Sequence, residues 1–137
     1  MNVLATCVAT VFAALAVLHL WWARGLSIGA SAVPEVDGRP LFRPGPVGCI
    51  AVAALLAWSG WIVLERAGLL GPHMPGWMVR AGAWVIALVL LARAIGEFRY
   101  VGFFKRVTGT AFATNDTRYY SPLALLLGVA SAVIAAR

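Results

Sequence analysis

Charge is what this sequence has least of. Charged residues make up 12% of the 137 residues and hydrophobic ones 62%, where a soluble domain carries about 25% charged residues. That leaves too little polar surface to coat a soluble globule. The charges sit in short clusters between long apolar runs. Despite a net charge of +6, this excludes a nucleic-acid binder, which sets basic residues on an otherwise soluble surface. Cysteine and histidine are nearly as scarce. Cys7 and Cys49 fall at opposite ends of the apolar runs, and no Cys-x-x-Cys occurs. A disulfide needs Cα atoms within roughly 7 Å, so none is expected, nor is quinone-linked dithiol chemistry. His19 and His73 fall on opposite faces of the expected topology, so no bis-histidine haem site forms. A zinc site needs three or four ligands, and none assembles; no metal and no cofactor is expected. A phosphate-cradling Gly-rich loop and a nucleophile elbow are also missing. Polar residues in the middle of the apolar runs are almost absent, which argues against a proton- or ion-coupled path through one copy.

What is present is apolar length. Four runs are read as membrane spans at about 3–22, 47–64, 77–98 and 121–136, giving one all-α, integral membrane four-helix bundle over residues 1–137. Twenty residues at about 1.5 Å rise match a hydrocarbon core of about 30 Å. The first run lacks a basic n-region and ends in Trp21, Trp22 and Arg24, so it reads as a retained span and not a cleaved signal. Pro34, Pro40, Pro44 and Pro46 break any helix in the first loop. Ser121 and Pro122 suit an N-cap and first helical position for the fourth span, which is then short and thins the bilayer or sits among the others. Gly128 and Ala132 make a small-xxx-small pair suited to close helix contact.

Lysine and arginine set the expected orientation. Arg24, Arg39 and Arg43 in the first loop join Arg93, Arg99, Lys105, Arg106 and Arg118 around the third, against Arg66, Arg80 and Arg137 on the other side. The bias favours loops one and three in the cytoplasm and both termini outside.

This topology gathers most side chains capable of chemistry at one end of the bundle. His19, Trp22 and Arg24 reach the depth of Arg93, Glu97 and Arg99, and Asp116, Arg118, Tyr119 and Tyr120 approach the same layer. Arg93, Glu97 and Tyr100 follow i, i+4, i+7 spacing on one helix face. Arg93 and Glu97 are expected to pair, which offsets the cost of charge in the membrane; the pair serves either as a structural lock or as part of a site. His19 is either an interfacial histidine bonded to a neighbouring helix or an acid–base group. Glu97 is the second acid–base candidate. Trp22, Arg24, Arg93, Arg99, Tyr100, Asp116, Arg118 and Tyr119 are the candidate ligand contacts. The third-loop run Phe98-Arg99-Tyr100-Val101-Gly102-Phe103-Phe104-Lys105-Arg106 suits a headgroup layer with anionic lipid, or a grip on phosphate or carboxylate. Asn115-Asp116-Thr117-Arg118 reads as a turn in which Asp116 orients Arg118, or as turn chemistry alone.

The stretch from Arg93 to Pro122, RAIGEFRYVGFFKRVTGTAFATNDTRYYSP, resembles the signature of a bacterial family filed as domain of unknown function 3995. The segment His19-Leu20-Trp21-Trp22-Ala23-Arg24-Gly25 is similar to its second motif, with Trp21 where Tyr is expected. The resemblance implies a short protein with about four spans, places it in a bacterial inner membrane, and suggests that the two motifs share one site. It implies no activity.

Three functions fit this reading. One is binding or processing of an amphiphilic anionic small molecule or lipid at the cytoplasmic leaflet, with membrane lipids and anionic headgroups as partners. Another is a structural or accessory subunit beside a second copy or another membrane protein. The third is a small transporter that works only as an oligomer. No nucleic acid is expected in any of them.

Overall fold

Four apolar runs become four helices in the computed structural model, which describes residues 1–25 and 32–137. Helix α1 spans Asn2–Ala23, α2 Pro46–Arg66, α3 Gly76–Ile95 and α4 Ala111–Ala136. Pro46 opens α2 at a position where its missing N–H is no loss. The helices are apolar around most of their circumference. Leu55, Leu88 and Leu126 stay more than 60% exposed, a surface suited to acyl chains and not to water. This is the construction of a multi-pass membrane protein.

Helix α1 packs chiefly on α2, and α3 on α4. Between the two pairs lies a core of Phe12, Val63, Leu127 and Ile134. Gly128 lets α3 come close: a Cβ there would sit 2.9 Å from Leu91 Cγ. At the end of the bundle away from the third loop, buried Glu65 accepts hydrogen bonds from Trp61 Nε1 at 2.9 Å and from the backbone N–H groups of His73 and Met74 at 2.8 and 2.9 Å. It thereby pins the α2–α3 loop. Arg66 Nη2 donates to the Ala135 carbonyl at 3.2 Å and closes the end of α4.

Two helix boundaries and one loop differ from expectation, each for a physical reason. Helix α3 stops at Ile95 and not near Phe98, because Gly96 takes φ +93°. The chain then loops so tightly that a Cβ on Gly96 would overlap the Val101 carbonyl, and one on Gly102 the Ile95 carbonyl. The fourth helix starts ten residues before Ser121, at Ala111, so it is long and not short. Thr110 is its N-cap, its side chain accepting from Ala113 N at 3.0 Å. Ser121 lies inside the helix, just after a wide π turn at Asp116–Tyr120 that sits where a loop turn was expected. The first loop is not wholly irregular either. Glu35–Val36 (β1) pairs antiparallel with Arg39–Pro40 (β2) across Asp37 and Gly38, both at positive φ, the geometry that favours Asp-Gly in two-residue hairpins. Glu35 Oε1 accepts from Ala111 N at 3.0 Å, which ties the hairpin to the positive end of α4.

Candidate functional site

Asp116 organises the loop end of the bundle. It is fully buried and accepts from four donors: Arg93 Nη2 at 2.7 Å, Gly102 N at 2.8 Å, Lys105 Nζ at 3.0 Å and Ser121 Oγ at 3.1 Å. The π turn contributes to this position. Ser121 follows Asp116 by five residues, and its backbone N–H and its hydroxyl both return to Asp116. Lys105, the single lysine of the chain, has a side chain only 3% exposed. It also donates to the Gly102 carbonyl at 2.8 Å and Thr117 Oγ1 at 2.6 Å. One carboxylate thus draws together the end of α3, the third loop and the start of α4.

The cluster contains two cations and one carboxylate, so it keeps one positive charge. Arg93 presents the unmatched part. Its Nη2 is taken by Asp116, while its Nη1 is buried with no hydrogen-bond partner among the described residues. Arg93 lines a cleft of about 280 Å³ with His19, Trp22, Phe112, Tyr120 and the leucines 15, 18, 90, 123 and 127. His19 Nδ1 is 2.7 Å from the Leu15 carbonyl, and its ring meets Trp22 edge-on at 4.9 Å. A second cleft of about 460 Å³ lies on the other side of His19 and Trp22, between α1 and the start of α2, with Arg43 at its wall.

Of the residues singled out from the sequence, the structure brings His19, Trp22 and Arg93 to one cleft and places Asp116 behind Arg93. The expected Arg93–Glu97 pair does not form. Because α3 ends at Ile95, the four-residue spacing no longer makes them neighbours. Glu97 instead accepts from the backbone N–H groups of Tyr100 and Val101, capping the loop within itself. Asp116 does not orient Arg118, which lies over the Tyr119 ring at 5.4 Å, both exposed. Arg99 lies over the Tyr100 ring at 5.1 Å, on the exposed loop. Arg24 is an exposed residue at the end of α1, lining a different groove beside Ile50. The residues not foreseen in these roles are Lys105, read as a headgroup anchor, and Gly96 and Gly102. The glycine pair, six apart in an aromatic run, was the available signal for a closed loop.

The family model described as "Protein of unknown function (DUF3995)" matches residues 12–131. No curated protein and no solved structure matches the chain.

Proposed function

The chain belongs to the DUF3995 family, a membership that names no chemistry, and we propose that it binds an amphiphilic molecule with an anionic headgroup in the cleft between α1, α3 and α4. The observation behind this reading is Arg93. A buried guanidinium nitrogen without a partner is costly; Arg93 carries one among the described residues, lines an apolar cleft, and belongs to a cluster with one positive charge left over. An anion would complete the hydrogen bond and neutralise the charge, while an apolar tail would fill the leucine-lined remainder. Asp116 and Lys105 act as the frame that holds the guanidinium by its other nitrogen. Exposed Phe98 and Phe104, with Arg99 and Arg106, set the loop in a headgroup layer. The positive-inside bias supports the cytoplasmic face for that layer, with both termini outside, and the family resemblance supports a bacterial inner membrane.

A second reading, a structural or accessory subunit, is favoured by one feature. Asp116 is completely satisfied by the chain itself, so the cluster locks the bundle without any ligand.

Native mass spectrometry of the gently solubilised protein separates the two. Arg93→Lys can keep the ion pair to Asp116 but lacks the second guanidinium nitrogen, and Leu123→Trp fills the cleft. A defined anionic amphiphile held by the wild type and lost in both variants is the expected result. Bulk lipid alone, unchanged in either variant, would favour the structural reading.

A further inference from the structure

Two residues that line the cleft carry polar atoms without a partner among the described residues, and those atoms have opposite polarity. A carbonyl oxygen only accepts, so the 2.7 Å contact between His19 Nδ1 and the Leu15 carbonyl puts the hydrogen on Nδ1. A neutral imidazole held this way has its lone pair at Nε2. Nε2 makes no hydrogen bond to a described residue and, unlike Arg93 Nη1, is not buried. The ring is held in place by that backbone bond and by the edge contact with Trp22. Among the described residues, Arg93 Nη1 on α3 is a donor without an acceptor, and His19 Nε2 on α1 is an acceptor without a donor. Both residues line one cleft whose remaining wall is mainly aliphatic and aromatic.

A plain carboxylate or phosphodiester would satisfy Arg93 and supply no donor to His19 Nε2. Resting on the anion-binding reading above, we infer that the ligand is a hydroxylated amphiphilic anion. Its anionic group accepts from Arg93 Nη1, a hydroxyl close to it donates to His19 Nε2, and its hydrocarbon chain lies along Leu15, Leu90 and Leu123. A site built around a ligand hydroxyl discriminates against the analogue that lacks it, because the site's own polar atom is then left unpaired.

The test is calorimetric titration of the full chain in nanodiscs of zwitterionic lipid with 3-hydroxyhexadecanoate and with hexadecanoate. The wild type is expected to bind the hydroxy acid about tenfold more tightly, the ratio that corresponds to about 1.4 kcal/mol. His19→Phe is expected to bind both acids alike, at the affinity of the plain acid. Arg93→Lys is expected to weaken both. Equal wild-type affinities, with Arg93→Lys still weakening both, would overturn the hydroxyl inference and leave the anion reading standing. A preference that survives in His19→Phe would also overturn it. Binding of neither acid in an Arg93-dependent way would overturn both readings. The two-acid comparison on the wild type decides the matter even if His19→Phe fails to fold.

Discussion

At the scale of single residues, one buried carboxylate does the work of several partners. Asp116 meets Arg93, Lys105, Gly102 and Ser121 in a fully buried position. Removing its charge leaves two buried or half-buried cations without a counter-ion. Breaking a buried pair from one side costs about 3–5 kcal/mol, so Asp116→Asn is expected to lower unfolding stability in detergent by about that much. Glu97→Gln, on the exposed loop, is expected to change it little. Denaturant titrations of both variants check the contrast, and equal losses would mean that Asp116 is not the hub. The sequence singled out Arg93, Asp116 and Lys105 but joined them wrongly. Four-residue spacing made Glu97 the natural partner of Arg93, and that rule holds only while the helix continues. Gly96 lies between them and ends it. The true partner is 23 residues away, in a segment whose Asn and Asp suggested a turn.

At the scale of elements, the spans were legible because apolar length is a strong signal, whereas the ends were set by backbone geometry that composition hides. Gly96 and Gly102 bring two stretches of backbone into contact, with φ of +93° and +90°. Gly45, by contrast, has open space where a Cβ would be and an ordinary extended φ of −78°. Gly96→Ala is therefore expected to open the third loop. Limited proteolysis should cut the variant between residues 97 and 110 faster than the wild type, and stability should fall by more than about 2 kcal/mol, in line with strain at positive φ plus a backbone clash. Gly45→Ala should match the wild type in both assays. The early start of α4 was hidden by a similar cause. The π turn at Asp116–Tyr120 carries a helix through polar residues that read as loop. The turn lets Asp116 face inward while the apolar periodicity resumes at Ser121.

At the scale of the whole molecule, the helix count followed from the alternation of apolar runs and loops. The cleft did not, since its wall combines residues from α1, α3 and α4 whose mutual distance no sequence pattern states. The proposed orientation has a direct check. With Cys7 and Cys49 changed to alanine, Thr108→Cys on the third loop should react with a membrane-impermeant maleimide only in permeabilised cells. Gly71→Cys on the second loop should react in intact cells. The reverse pattern would place the Arg93 cluster on the outer face.

The central claim is that one cleft, and not the general apolar surface, takes the hydrocarbon part of an anionic ligand. It is tested most directly by photo-crosslinking the protein in nanodiscs with a diazirine-bearing hexadecanoate and mapping the labelled peptides. The account predicts saturable labelling around His19–Trp22, Leu90 and Leu123, competed by unlabelled acid and lost in Arg93→Lys. Labelling spread over the exposed faces of Leu55, Leu88 and Leu126, neither saturable nor sensitive to Arg93, would contradict it.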